Sequence, residues 1–358
     1  MSGDIGPGSE FRIALVGCGR ISQRHIEAIR ATPALRLTAV CDEVPERAHV
    51  ASEVSGGLPF TSYEAMLAEA KADVVAICTP SGMHPHHGIM AAERGLHVIS
   101  EKPMATRMDE ADALVRACDR ADVHLFVVKQ NRLNPSVQLL RRAVDKARFG
   151  RIYMANTTVR WTRPQDYYDQ APWRGTWEFD GGAFMNQASH YVDMIQWLVG
   201  PVETISAKTA TLARRIESED SGVAILRFRN GAIGTIEVTM LTYPRNLEGS
   251  ITILGEKGTV KIGGTALNRI EQWEFAEYDD DDRCAAELRL APNPLSVYGS
   301  GHLAYYQNVV DVLRGEAAPG TDGREGRRSL ELILGIYEAA RTGREVALPL
   351  RAFSRSAV

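Results

Sequence analysis

Lys102 and His190 are the residues of this chain best suited to moving a proton. Lys102 stands in Ser100-Glu101-Lys102-Pro103, directly after an apolar run, 96–99, that reads as a buried parallel strand. Ligand pockets open at the carboxyl ends of such strands, so an ammonium group there can serve as acid, base or electrostatic anchor. Pro103 restricts the backbone behind it. His190 lies four residues after Asn186 and three before Asp193. If a helix already begins at Asn186, all three share one face. An imidazole titrating near neutrality is a common general base for an alcohol. Each residue also has a plain alternative: an exposed Lys-Pro loop, and a core histidine bonded to a nearby carbonyl.

A glycine turn supplies the context that raises both. The apolar run 11–16 reads as a strand and leads into Gly17-Cys18-Gly19-Arg20-Ile21-Ser22, and helical spacing follows to Arg30. Strand, glycine turn and helix are the setting of a dinucleotide fingerprint. Gly17 allows the tight turn, Gly19 lets the backbone approach a pyrophosphate, and Ser22 is small enough for close helix–strand packing. The next strand, 35–41, ends at Asp42, about 20 residues past the glycines, where a carboxylate takes a ribose diol and repels a 2′-phosphate. NAD is therefore expected rather than NADP. Strands at 73–78, 96–99 and 123–128 alternate with helices at 62–70, 86–94 and 108–121. That alternation predicts a doubly wound parallel sheet of the Rossmann type.

The second half changes period. Segments 152–161, 203–212, 222–228 and 233–241 alternate as strands of an antiparallel sheet, with a hairpin turn at Arg229-Asn230-Gly231 and another hairpin from 250–254 to 259–263. Helices are expected at 137–148, 187–198, 302–313 and 327–341. The fold class is thus α/β, with a C-terminal α+β domain built on a large, mostly antiparallel open sheet. The boundaries read as a leader over 1–10, a nucleotide-binding domain over 11–131, a substrate and oligomerisation domain over 132–350 and a tail over 351–358. The run from Trp161 to Trp177 interleaves aromatics with Arg163 and Arg174; aromatic faces suit sugar rings and bases, and guanidinium suits carboxylate or phosphate. The loops Tyr243-Pro244-Arg245-Asn246 and Ser296 to His302 are similarly polar. The acid run Asp279 to Asp282 reads as a solvated loop.

Composition narrows the classes further. The 358 residues are 44% hydrophobic and 24% charged, ordinary values for a globular chain of two domains. A net charge of -4 gives no nucleic-acid footprint. No apolar run approaches the ~20 residues of a membrane span, and no secretory signal opens the chain. Cys18, Cys41, Cys78, Cys118 and Cys284 are widely spaced, which favours reduced thiols in the cytoplasm. No metal is expected: His84, His86 and His87 cluster, but Pro85 breaks their helical spacing and no partner ligands accompany them.

These motifs, in this order, resemble the Gfo/Idh/MocA family of nicotinamide-dependent sugar oxidoreductases. The likeness covers nearly all of 11–350 and rests on Gly17 to Ser22, Cys78-Thr79-Pro80, His97 to Pro103, and Gly181-Gly182 through His190 to Asp193. It implies an NAD site formed by Gly17, Gly19, Arg20, Ile21, Ser22, Asp42, Thr79, Pro80, His84, Glu101, Lys102, Gln130, Trp173 and Arg174. It also implies that Lys102 and His190 flank the reacting carbon, that the Lys102–Pro103 peptide is cis, and that the open sheet builds homodimers or homotetramers. Many members carry Asp where Asn186 stands and Gly where Ala188 stands, so His190 is expected to act as base without Asn186. Lys102 as the base is the open alternative. Gln130 to Pro135, the run from Trp161 and Gly181 to Gln187 resemble the WlbA-type subgroup, the UDP-N-acetylglucosaminuronate 3-dehydrogenases of bacterial surface-polysaccharide (lipopolysaccharide O-antigen) synthesis. That implies oxidation at C3 of UDP-2-acetamido-2-deoxy-D-glucuronate, with substrate contacts from Lys102, Arg160, Arg163, Asn186, Gln187, His190, Tyr243, Arg245, Tyr298 and His302. Some relatives recycle bound NADH with 2-oxoglutarate. A dehydrogenase of a free sugar or inositol, and a non-catalytic sugar or NAD sensor, are the alternatives.

Overall fold

The computed structural model describes residues 10–264, 266–290 and 301–350; the expected leader before Glu10, the tail 351–358 and Tyr298 lie outside them. The chain forms two compact units. The first runs through Lys129 and takes back His302–Arg327; the second is Gln130–Gly301 with the chain from Arg328 onward.

In the first unit, β1 (Phe11–Val16), α1 (Ser22–Arg30), β2 (Leu35–Cys41), α2 (Pro45–Ser55), β3 (Leu58–Phe60), α3 (Tyr63–Glu69), β4 (Val74–Ile77), α4 (His84–Ala92), β5 (His97–Ser100), α5 (Met108–Ala121) and β6 (Leu125–Val127) follow in order. The six strands are all parallel, in the order β3-β2-β1-β4-β5-β6. The order reverses between β1 and β4, the crevice where a Rossmann sheet takes its ligand. β4 is buried on both faces, which is why Val74-Val75-Ala76-Ile77 reads as unbroken apolar sequence. α5 buries Met108, Ala111, Leu114, Ala117 and Cys118, a stripe at helical spacing with Asp109 and Glu110 at its amino end.

Helix α2 carries no such stripe; Val50 and Val54 face solvent, so periodicity did not reveal it. α4 starts at His84 rather than 86. Pro85 occupies the first turn, where its missing N–H costs nothing, so it opens this helix instead of breaking it.

The second unit begins with α6 (Pro135–Asp145), β7 (Ile152–Arg160), α7 (Gln165–Asp169) and α8 (Ser189–Val199). Six strands follow: β8 (Val202–Ala210), β9 (Ser221–Phe228), β10 (Ile233–Thr239), β11 (Glu248–Gly255), β12 (Gly258–Gly263) and β13 (Arg269–Phe275). The chain closes with α9 (Asp281–Arg289), α10 (Gly301–Leu313), α11 (Gly323–Thr342) and β14 (Val346–Ala347). The eight-stranded sheet has the order β13-β12-β11-β7-β10-β9-β8-β14 and is antiparallel except for β7 with β10. Alternation is clean in β9, where Ala224, Leu226 and Phe228 are buried while Val223, Ile225 and Arg227 face outward.

Two expectations about the second half need correction. The segment 302–327 packs with the first unit, not with the rest of 132–350: the Thr321 hydroxyl donates to the Val127 carbonyl (2.6 Å), and Tyr306 on α10 meets His25 on α1. The acid run is no solvated loop. Asp281 and Asp282 open α9, and Lys146, Arg142 and Arg148 hold Asp279, Asp281 and Asp282 at 2.9–3.1 Å, pinning α9 to α6 and the turn after it.

Candidate active site

In the first unit the glycine turn follows β1 directly. Gly17 has φ +90°, and a Cβ there would lie 2.6 Å from the Cys78 and Thr79 backbone, so the end of β1 can approach the end of β4 only with glycine. A Cβ on Gly19 would meet no atom within 4 Å. Ser22 donates to the Gly19 carbonyl at 2.6 Å and closes the turn. No side chain caps α1 and no acid stands in its first turn, so its amino end presents uncontested positive dipole. Open space at Gly19 against that end is what a pyrophosphate needs, and the residues present fit NAD. Asp42 accepts from the amides of Cys18 (2.8 Å) and Val44 (2.9 Å), which aims the carboxylate beside the turn; each oxygen keeps a lone pair for a ribose hydroxyl.

Lys102 follows β5, and its peptide to Pro103 is cis. Its amide donates to Glu101 Oε2 at 3.0 Å. Glu101 Oε1 meets His25 Nε2 at 3.0 Å, and His25 Nδ1 meets the Tyr306 hydroxyl at 2.7 Å. Burial alone raises the Glu101 carboxyl, but the His25 hydrogen bond and the charges of His25, Lys102 and His302 outweigh it and hold it well below the usual range. An ionised carboxylate only accepts, so His25 donates through Nε2. His302, expected to touch substrate, is instead buried edge-on to His25, with ring centroids 5.5 Å apart; burial first, and His25 second, push it down to about 4. Among the described residues, only His25, Glu101 and His302 bring their ligand atoms within 4.8 Å of one another, and hydrogen bonding already accounts for two of the three.

His84 also departs from expectation. It is 1% exposed, and its ring nitrogens lie 2.8 Å from the carbonyls of Pro103 and Thr79. It ties the turn after β4 to the turn after β5, with neither nitrogen turned outward to a cofactor. Thr79 and Pro80 follow β4, where they were expected, and Thr79 Oγ1 bonds His87 at 3.1 Å.

In the second unit, α8 begins at Ser189, so His190 and Asp193 share a helix while Asn186 lies in the turn before it. His190 is 8% exposed. Asp193 takes both arms of Arg132 at 2.7 Å, a buried pair, and Arg132 stacks on Trp197 at 4.9 Å. The Asn186 amide donates to Asp180. Gln187 is buried and its Nε2 has no partner among the described residues; the same holds for Gln130 Oε1 and Arg174 Nε. Unpaired buried donors and acceptors are costly, so these three fit groups that complete their bonding with a ligand.

The aromatic run is held by stacking. Arg163 lies over Trp161 (5.2 Å) and Tyr167 (5.3 Å), and Arg174 over Tyr167 (4.3 Å) and Trp173 (4.9 Å). Arg160 differs from its expected role: Glu237 (2.7 Å) and Glu248 (3.1 Å) already neutralise it on the outward face of the sheet, leaving it no charge to spare for a substrate anion. Tyr243 and Arg245 stand exposed between β10 and β11, with Tyr243 95% accessible. Arg132, His25, Glu219 and Tyr337 were not anticipated. Their partners lie from 35 to 281 residues away, and no local spacing marks them.

Comparison with known proteins fits this layout. The family model described as oxidoreductase family, NAD-binding Rossmann fold, matches residues 11–129, and the oxidoreductase family C-terminal alpha/beta domain matches 141–348. A D-apiose dehydrogenase of Paraburkholderia graminis is 28% identical, over 94% of this chain and 90% of its own. The WlbA dehydrogenase of Bordetella pertussis, crystallised with NADH and UDP-GlcNAcA, is 57% identical with a TM-score of 0.93, covering 96% of this chain and 99% of that one. WlbA of Chromobacterium violaceum, in complex with the same two molecules, is 54% identical with a TM-score of 0.91, covering 96% and 97%. With a fingerprint turn ahead of a parallel sheet, a lysine after its fifth strand and both family models matched in sequence order, this chain belongs to the Gfo/Idh/MocA family of oxidoreductases.

Proposed function

We propose that this protein is an NAD-dependent dehydrogenase that oxidises the C3 hydroxyl of UDP-2-acetamido-2-deoxy-D-glucuronate (UDP-GlcNAcA) to a ketone. The observation that carries the reading is 57% identity over 96% of the chain to a WlbA dehydrogenase solved with NADH and that sugar nucleotide. Identity at this level extends beyond the fold, whereas the D-apiose dehydrogenase at 28% supports only a sugar dehydrogenase in general.

Bound NAD supplies the hydride acceptor. His190 takes the hydroxyl proton as the hydride leaves C3, and Lys102 donates a hydrogen bond to the same oxygen, stabilising its developing negative charge. In this reading Gly17, Gly19, Ser22 and the amino end of α1 hold the pyrophosphate, Asp42 takes the adenosine ribose diol, and Thr79 and Pro80 border the nicotinamide. Arg163, Arg174, Gln130 and Gln187 supply donors and acceptors for the sugar nucleotide and cofactor. Asn186, already bonded to Asp180, holds the turn and cannot act as a base.

A ketone at this position suits an aminotransferase as the consuming enzyme, and the role proposed with it is in surface-polysaccharide synthesis. The outward sheet face bearing Val223, Ile225 and Ile233 is the proposed oligomer interface, because these apolar side chains are 51%, 61% and 49% exposed in the single chain. Five free cysteines agree with a reducing cytoplasm, and no helix among the described residues is long and apolar enough to cross a membrane.

The test is NADH formation by the purified protein with UDP-GlcNAcA, against UDP-GlcNAc, free sugars and inositol, with NMR of the product to locate the ketone. Turnover of the acid nucleotide alone supports the proposal. Turnover of a free sugar at equal or greater kcat/KM replaces the substrate assignment, and no hydride transfer to any of them removes it.

A further inference from the structure

The turn that delivers Asn186, Gln187 and α8 is fastened by two residues that take no part in the mechanism above. Four consecutive amides are tied to them. Gly182 N and Met185 N donate to the Tyr337 hydroxyl at 3.3 and 3.2 Å. Ala183 N donates to the Glu219 main-chain carbonyl at 3.1 Å, and Phe184 N to Glu219 Oε1 at 2.9 Å. Tyr337 in turn donates its O–H to Glu219 Oε1 at 3.0 Å. The turn closes on itself through Asn186 N to the Gly182 carbonyl at 2.9 Å. A Cβ on Gly182 would lie 1.5 Å from Glu219 Oε2, so a side chain there would have to displace the carboxyl group.

We propose that Glu219 and Tyr337 are positioning residues: a buried, uncharged cradle that fixes the 182–185 turn and through it the side chains of Asn186, Gln187 and His190. The buried setting favours the neutral acid. Oε1 accepts from two donors as a carbonyl oxygen would, whereas Oε2 is buried without any partner among the described residues. An ionised oxygen there would be a bare charge in an apolar setting. The titratable groups facing it are Asp180, in the preceding turn, and Tyr337, on α11. Its neighbour Asp220 turns away onto the amides of Leu212, Ala213 and Arg214. Burial, with the Asp180 charge adding to it, pushes the Glu219 carboxyl up to about 8 against the pull of its hydrogen bonds.

The proposal rests on the reading that Gln187 and His190 meet the substrate, and its test separates the two. Glu219→Gln, Glu219→Ala and Tyr337→Phe are compared with the wild type in the full chain. The measurements are kcat and KM for UDP-GlcNAcA, the NAD dissociation constant and the melting temperature against pH. Tyr337→Phe and Glu219→Ala lower kcat/KM by about tenfold or more while NAD affinity holds; Glu219→Gln, neutral and isosteric, stays within about threefold at neutral pH.

A carboxyl whose pKa is higher folded than unfolded binds a proton on folding, so the wild type loses stability relative to Glu219→Gln as pH rises from about 5 to about 8. Three results overturn the cradle: Glu219→Gln as impaired as Glu219→Ala, Tyr337→Phe at wild-type kcat/KM, or a wild-type melting profile parallel to that of Glu219→Gln across that window. If the wild type leaves UDP-GlcNAcA unoxidised, the substrate assignment falls, and the melting comparison still decides the protonation state of Glu219.

Discussion

Lys102 owes the position of its backbone to residues with no chemistry of their own. Its amide is held by Glu101, Glu101 by His25, and His25 by Tyr306, so the lysine starts from a fixed point after β5. Lys102→Ala and His190→Ala are each expected to lower turnover by about 10²–10⁴-fold while NAD still binds, as judged by quenching of protein fluorescence. Near-normal turnover in both would remove the mechanism. Asp42 works by charge: Asp42→Asn keeps a hydrogen-bonding side chain but no longer repels a 2′-phosphate. The ratio of kcat/KM for NAD over NADP should fall by about tenfold, or ~1.4 kcal/mol. An unchanged ratio would mean that another group reads the ribose.

α8 is buried on nearly every side, and a helix in that setting must satisfy any charge it carries inside the protein. Arg132 does this for Asp193 in a bidentate pair whose side chains are 7% and 2% accessible. Removing one partner strands the other charge, so Asp193→Ala should cost about 3–5 kcal/mol in denaturant unfolding, whereas replacing both residues with leucine should recover much of the loss. Equal stability of the single and double variants would show that the pair contributes nothing specific. The β1–α1 turn has a different constraint. Gly17→Ala must place a Cβ 2.6 Å from backbone at φ +90°, and it should lose NAD binding together with stability.

On the outward face of the eight-stranded sheet, β9 presents Val223 and Ile225 and β10 presents Ile233 beside Thr235 and Glu237. Exposed apolar residues on paired neighbouring strands are unfavourable in a monomer. Ile225→Glu is expected to shift the protein to a smaller species in light scattering coupled to gel filtration, with NAD binding retained. An unchanged mass would show that this face is not the interface.

What the sequence by itself determined is local in origin. The six-residue strand and glycine turn, the acid after β2, the helical stripe of α5 and the two-residue alternation of β9 depend on neighbours a few positions away, and those signals appear wherever the chain is read. They were enough to separate a parallel nucleotide-binding sheet from an antiparallel open one. Short or weakly patterned elements escaped: β3 has three residues, and α2 turns valines outward.

The tertiary structure decided which polar side chains are spent on bonds within the protein. His84 and His302 look like site histidines in the sequence, yet one braces two turns and the other supports Glu101. Arg160 is consumed by sheet carboxylates, while Glu219 and Tyr337, 118 residues apart, were unmarked and hold the turn before His190. The reason is physical: a buried polar group takes its role from whichever donor or acceptor folding brings within about 3 Å, and that partner is set by the path of the whole chain.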